Sequence, residues 1–255
     1  MALGILILPM AQAQQTGPLR IAAAADLQPV LPRLLEEFRK STGIQIEATY
    51  EASAALTVQI QNGAPFDLFL SADLSYPKRL IDARLADTKG VPGAMESQPV
   101  IYARGALVLW TRKDGHWPNP SLDTLRDPAL RRLAIANPER APYGRAAIAA
   151  LTSLKLLDAL KPKLVTAENI AQAAQFAETG NADAGLISLT SASTDRLKST
   201  GTAFVLPKGL YPPIEQGAAI VSRTGQRDNC LKFLAFLFSP PIKQELAKSG
   251  LTPVK

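Results

Sequence analysis

The chain has 255 residues, of which 47% are hydrophobic and 20% charged, and its formal net charge is +6. This composition is typical of a folded globular protein and excludes a disordered, collagenous or disulfide-based scaffold. The one cysteine, Cys230, cannot form an internal disulfide, and its apolar neighbours favour a core position over a reactive thiol. The one histidine, His116, lies in a turn-like run, which excludes a His-rich metal site and disfavours a Ser-His-Asp hydrolase.

The N-terminal segment predicts export. Residues 1–10 are apolar but too short to span a bilayer, and Ala11-Gln12-Ala13 follows with the small-x-small pattern of a signal-peptidase site. We therefore predict a signal peptide over residues 1–13, cleaved after Ala13, although its basic n-region is absent. A disordered tail is the alternative. No later stretch of the sequence approaches the length of a membrane span.

The excess of basic residues admits nucleic acid, an anionic surface or a small anion as a partner. Basic residues are scattered along the chain, and adjacent pairs such as Arg131-Arg132 are not interleaved with aromatic residues. This pattern favours an ordinary solvated surface and argues against a nucleic-acid interface.

Short apolar runs alternate with helical periodicity through the first part of the chain. The predicted order is strand 19–24, a helical pattern from Leu27 to Phe38 that Gly43 ends, strand 44–50, helix 54–62, strand 67–70 and helix 74–85. A βαβαβα series of this kind forms a parallel sheet that helices cover on both faces.

A second β/α series follows. After strands near 101–102 and 106–111 we predict strand 133–136, helices 144–157 and 169–178, strands 184–188, 203–206 and 218–222, and helices 228–238 and 241–249. The economical picture is two α/β lobes, each a mainly parallel sheet flanked by helices. Residues 18–102 plus 211–255 form lobe 1 and residues 103–210 form lobe 2. Two crossover strands, near 101–107 and 206–215, form the hinge.

Loops after the strands of a parallel sheet are the expected place for a ligand, because helix N-termini there offer free amides to anions. In the first such loop Asp26 is either an N-cap that accepts from Gln28 or part of a site. In the second loop Ser53 is either the N-cap of the next helix, which the spacing favours, or a donor to an anion. The third loop spans residues 137–145, where Tyr143 is either core or contact and Arg145 reads as a surface charge.

Four runs carry a family resemblance. They are IAAAADL at 21–27, APFDLFLSAD at 64–73, NPERAPYG at 137–144 and YPPIEQGA at 211–218. In this order, over residues 18–255, the chain resembles the periplasmic molybdate-binding proteins of ABC transporters. The resemblance implies a type II periplasmic binding fold, in which two lobes close over one tetrahedral oxyanion.

The resemblance also implies a binding site. Ser53 matches the family's serine in the second loop, Tyr143 falls at the third-loop contact, and Ile170 falls where a backbone amide at a helix start touches the anion. Ala25 and Ser188 depart from the family: Ala25 replaces a serine, and Ser188 stands where some members have a tyrosine. The implied oxyanion site is therefore Ala25, Asp26, Ser53, Tyr143, Ile170 and Ser188.

The expected function follows from the resemblance and from the neutral donors. Molybdate is a dianion with no proton to donate, so amides and hydroxyls satisfy it. Phosphate carries a proton and needs a carboxylate, which only Asp26 offers, and we expect that side chain to turn outward as a cap. We expect a periplasmic monomer that delivers molybdate or tungstate to a membrane permease, with no catalytic residue, cofactor or direct metal ligand. Alternatives are a receptor for sulfate or another oxyanion, a regulatory sensor, and a periplasmic enzyme on the same scaffold.

Overall fold

A computed structural model describes residues 17–254. The predicted signal peptide, residues 1–13, lies outside the described residues. Within them, no helix has the length and apolar character needed to cross a membrane. The described chain folds around two β-sheets with helices packed on both.

The strands, in chain order, are β1 Leu19–Ala24, β2 Ile46–Glu51, β3 Leu68–Ser71, β4 Ala86–Asp87, β5 Val100–Gly105, β6 Leu107–Arg112, β7 Leu133–Ala136, β8 Leu164–Ala167, β9 Ala184–Ser188, β10 Gly201–Val205, β11 Ile214–Val221 and β12 Thr252–Pro253. The α-helices are α1 Leu31–Thr42, α2 Ser53–Gln61, α3 Ser75–Asp82, α4 Pro142–Ser153, α5 Leu157–Leu160, α6 Ile170–Glu178, α7 Leu189–Ala192, α8 Asp195–Thr200, α9 Arg227–Leu237 and α10 Pro240–Lys248. Short 3₁₀ helices cover Ala25–Leu27, Leu122–Arg126 and Lys161–Lys163.

The two sheets define two lobes. The sheet of lobe 1 has the order β12-β5-β11-β3-β1-β2, with β4 also paired to β11, and the sheet of lobe 2 has the order β10-β6-β9-β7-β8. Parallel pairing joins β1 to β2 and β3, and β7 to β8 and β9. The strands next to the crossovers, β5, β6 and β11, pair antiparallel with their neighbours. Each sheet is therefore mixed and not, as the sequence predicted, mainly parallel, because β6 and β11 enter their sheets from the other lobe and β5 leaves its sheet toward it.

The first helix begins later than its apolar periodicity predicts. The pattern starts at Leu27, but α1 starts at Leu31, after a 3₁₀ turn. A helix from Leu27 would bury Pro32 in its interior, where the missing N–H breaks the hydrogen-bond ladder. A start at Leu31 puts Pro32 in the first turn, where no partner is lost. The predicted end is confirmed, because Gly43 terminates α1 in the left-handed conformation with φ 76°.

Small residues bring the lobes close together at their facing edges. Ala24, Ala25, Ala52 and Ala72 belong to lobe 1, yet they are buried in the same apolar cluster as the core of lobe 2. Alanine side chains let the two backbones approach, since a longer side chain at these positions would hold the lobes apart. The segments that contain these alanines therefore pack directly against lobe 2.

Candidate oxyanion site

Four helical segments begin at one small cavity between the lobes. They are the 3₁₀ turn Ala25–Leu27 and α2 in lobe 1, and α4 and α6 in lobe 2. Free backbone amides at helix starts carry partial positive charge and bind anions. The cavity is lined by Ala24, Ala25, Asp26, Glu51, Ala52, Ser53, Ala72, Ala141, Pro142, Tyr143, Asn169 and Ile170. This lining, taken over residues 17–254, contains no lysine, arginine or histidine, so the donors it offers an anion are amides and hydroxyls, beside the carboxyl groups of Asp26 and Glu51.

The position of Ser53 corrects the favoured sequence interpretation. The N-cap of α2 is Ala52, and Ser53 is the first helical residue. Its Oγ accepts from the backbone N–H of Ala72 at 3.1 Å, which belongs to another loop, so the prediction of an N-cap is wrong. Because that amide is a donor, the buried hydroxyl keeps its own proton for another acceptor. Ser53 thus lines the cavity with a hydroxyl whose proton can be donated.

The position of Asp26 also corrects a prediction. We expected an outward-facing cap, but the side chain is fully buried and makes no capping hydrogen bond. Its Oδ2 accepts from the Tyr143 hydroxyl at 3.1 Å and from the side-chain amide of Gln216. Its Oδ1 has no hydrogen-bond partner among the described residues. Burial raises the pKa of Asp26 to about 6, although the hydrogen bonds from Gln216 and Tyr143 oppose the shift.

A buried network from the two crossover strands holds Asp26 in place. Tyr102 on β5 donates to Oε1 of Gln216 at 2.6 Å, which turns the Gln216 amide nitrogen toward Asp26. That nitrogen also lies 3.4 Å from the Tyr143 hydroxyl. Burial, followed by the charge of Asp26, raises the pKa of Tyr102 and Tyr143 well above the usual range. Both tyrosines therefore stay protonated and act as donors.

Sequence reasoning missed Tyr102 and Gln216. The available signal was a glutamine, next to Glu215, at the start of the otherwise apolar strand β11 and inside the segment 211–218 that carries the family resemblance. Two glycines make room for the network's partner Tyr143. A Cβ on Gly105 would overlap the Tyr143 hydroxyl, and a Cβ on Gly144 would overlap the carbonyl of Ala136. Glycine at both positions lets α4 present Tyr143 at the cavity.

The remaining predicted site residues divide into two groups. Ala25 and Ile170 line the cavity, and Ile170 is the first residue of α6, whose N-cap is Asn169. Ser188 lies apart from the lining and caps α7, where its Oγ accepts from the backbone N–H of Ser191 at 3.2 Å. The structure therefore brings five of the six predicted residues to one cavity and places the hydroxyl of Ser188 in a helix cap.

Contacts beside the cavity join the two lobes. Arg145 of α4 forms an ion pair with Asp73, and it donates to the Tyr76 hydroxyl at 3.1 Å. Its guanidinium also lies over the Tyr76 ring, 5.3 Å from the centroid. A backbone hydrogen bond from Ala54 to Arg140 crosses at the same place at 3.2 Å. Arg145, which the sequence suggested as a surface charge, thus contacts lobe 1 from lobe 2.

Two α/β lobes that meet at a cavity of helix starts define a two-lobed solute-binding protein. The chain belongs to the bacterial extracellular solute-binding protein family, whose model matches residues 19–252. It is 35% identical to the molybdate-binding protein ModA of Azotobacter vinelandii over 241 residues, which cover 94% of this chain and 92% of that protein. It is 34% identical to ModA of Rhodobacter capsulatus, over 96% of this chain and 92% of that protein. The predicted family resemblance is confirmed.

Solved structures give the same result for the fold. The periplasmic molybdate-binding protein of Azotobacter vinelandii superposes with a TM-score of 0.84 at 30% identity, covering 93% of this chain and 100% of that one. The sulfate-binding protein SubI of Mycobacterium tuberculosis H37Rv superposes with a TM-score of 0.74 at 17% identity, over 94% of this chain and 88% of that one. The second likeness is one of fold alone. The predicted two-lobed periplasmic binding fold is confirmed.

Proposed function

We propose that this chain is the molybdate receptor of an ABC importer and that it binds the anion in the cavity between the lobes. The observation that carries the proposal is the convergence of four helix starts from both lobes on a cavity without a cationic side chain among its described lining residues. The names of the relatives with 34% and 35% identity support molybdate as the anion. Ala25, Asp26, Ser53, Tyr143 and Ile170 are the proposed contacts.

The donor set suits a fully deprotonated oxyanion. Molybdate and tungstate have four oxygens, two negative charges and no proton, so each oxygen is an acceptor for amides and hydroxyls. Helix starts supply such amides without a bulky cation, and the hydroxyl of Ser53 adds a side-chain donor, whereas the hydroxyl proton of Tyr143 is used by Asp26. Sulfate has the same donor requirement and a smaller radius, so cavity size is what would separate it from molybdate.

The proposed role needs no chemistry on the ligand. We infer that the mature chain works outside the cytoplasm as a monomer, holds the anion between its lobes, and presents the closed form to a membrane permease. The lobe boundaries proposed for this motion are residues 18–102 plus 211–255 for lobe 1 and 103–210 for lobe 2, although the end of β5, up to Gly105, pairs in the sheet of lobe 1.

Thermal unfolding tests the proposed ligand. A ligand that binds only the folded state adds about 2.7 kcal/mol to the free energy of unfolding at about 100 times its dissociation constant. For a chain of this size that gain raises Tm by roughly 5–10 °C. We expect this shift with molybdate and with tungstate. An equal shift with sulfate or phosphate would contradict the specificity, and native mass spectrometry with mixed oxyanions would identify the bound species.

The ion pair between Arg145 and Asp73 is expected to favour the closed form. Both Arg145→Gln and Asp73→Asn should weaken molybdate binding about two- to fivefold, because a partly exposed ion pair is worth roughly 0.5–1 kcal/mol. The double variant should lose no more than Arg145→Gln alone, since that change already removes the ion pair together with the contact to Tyr76. Titration calorimetry on the four proteins measures this coupling. Losses that simply add would show that the pair does not act between the lobes during binding.

A further inference from the structure

The cavity contains a carboxylate that the donor-only chemistry of a dianion does not explain. Asp26 lines the cavity, is fully buried, and has one oxygen, Oδ2, that already accepts from two donors. The other oxygen, Oδ1, has no partner among the residues that the structure describes. A buried acceptor without a donor is costly, so an additional group must satisfy it when the site is in use.

Resting on the proposed function, we propose that Asp26 determines the specificity of the site by carrying a proton on Oδ1 and donating it to an oxygen of bound molybdate. The proton is taken from water when the anion binds and returns to water when it leaves, so that one proton accompanies each anion. No covalent bond of the ligand changes.

Among residues 17–254, the surroundings of Asp26 offer no counter-charge for a carboxylate. Tyr143 on α4 and Tyr102 on β5 are neutral donors, and Gln216 on β11 is an amide. The ionisable group of β2 at the cavity is Glu51, which is itself acidic. Helix α7, which packs on the 3₁₀ turn, contains no ionisable residue, and the one ionisable residue of α6 is Glu178 at its far end.

Two negative groups in one buried site repel each other, so a bound dianion favours the protonated carboxylic acid. The raised pKa of Asp26, about 6 because of its burial, makes that proton easy to acquire near neutral pH. In its protonated form Asp26 becomes one more donor, which suits an anion that has only acceptors. The same form disfavours hydrogen phosphate, whose own O–H needs an acceptor, because Oδ2 is already used.

Calorimetric titration of molybdate from about pH 6.5 to about pH 8.5, in buffers of different ionisation heat, tests the proposal. For the wild type we expect the dissociation constant to rise by about tenfold per pH unit, with uptake of close to one proton per anion. Asp26→Asn, which keeps an N–H donor at this position without titrating, should bind with a pH-independent constant and no proton uptake. Glu51→Gln is the matched control and should keep the slope of the wild type.

A flat pH profile and no proton uptake in the wild type would overturn the assignment, and this arm needs no variant. Loss of the slope in Glu51→Gln instead of Asp26→Asn would also overturn it. Phosphate that binds more tightly as the pH rises, beside an unchanging molybdate constant, would make Asp26 an acceptor and overturn its role as a donor. Failure of the proposed function looks different: neither the wild type nor Asp26→Asn would bind molybdate at any pH.

Discussion

Replacing Ser53 by alanine is expected to weaken molybdate binding by roughly 1.5–3 kcal/mol, which is about 10- to 150-fold in the dissociation constant. That range is the one for a hydrogen bond to a charged partner. Ser53 has a single hydroxyl proton, and its Oγ already accepts from the Ala72 amide, so the proton is the group left for the ligand. The variant also leaves the backbone N–H of Ala72 without its acceptor, which lowers the stability of the ligand-free protein by about 1 kcal/mol.

A control must separate these two effects. Ser71 is a buried serine on the neighbouring strand whose Oγ accepts from the backbone N–H of Asp73 at 3.2 Å, and it does not line the cavity. Ser71→Ala should therefore lose similar stability and keep its affinity. Titration calorimetry and denaturant unfolding on both variants decide the matter. A Ser53→Ala protein that is less stable but binds molybdate as tightly as the wild type would show that this hydroxyl is structural.

Much of the fold follows from local signals. The alternation of buried strands and periodic helices predicts β1, β3, β7 and β9 at or within a residue of their observed bounds. Helix starts are less predictable, because they depend on where a proline can be accommodated; α4 begins at Pro142, two residues before the predicted start at Gly144. The antiparallel direction of β5 and β11 could not be predicted from local signals either, because it depends on how the chain crosses between the lobes.

The site was predictable in its position and less so in its orientation. Ser53 and Tyr143 lie at the starts of helices α2 and α4, each of which follows a strand that the local sequence predicts. Their convergence at the edge of the sheets could therefore be foreseen. The inward turn of Asp26 could not, because its partners are Gln216, 190 positions away in sequence, and Tyr143, 117 positions away. From the local sequence alone, a capping hydrogen bond from the backbone N–H of Gln28 to the Asp26 carboxylate is the expected arrangement. The tertiary network from the crossover strands decides that competition.

The same burial predicts how the stability of the ligand-free protein depends on pH. The pKa of Asp26 is about 6 in the folded chain because of burial, against 3.8 for an ordinary aspartate. The folded state therefore binds the proton more tightly than the unfolded state does. The stability that comes from protonated Asp26 is complete below the pKa of the unfolded state and is lost as the pH rises through the pKa of the folded state. The loss amounts to about 3 kcal/mol, at 1.36 kcal/mol per pKa unit.

Asp26→Asn should remove this loss, because the amide has no charge to bury. We expect the free energy of unfolding of the variant, relative to the wild type, to rise by up to about 3 kcal/mol from about pH 4 to about pH 7 and to stay constant above. Denaturant unfolding at several pH values measures the difference.

Asp87→Asn provides a control of opposite sign. Burial alone would raise the pKa of Asp87, but the hydrogen bond from Arg227 outweighs it and holds that pKa below its usual value. Its carboxylate stabilises the fold at neutral pH, so this variant should lose stability there and approach the wild type in acid. A pH-independent difference between Asp26→Asn and the wild type would mean that the buried carboxylate is held without cost, and the network of Tyr143 and Gln216 would then be sufficient to stabilise its charge.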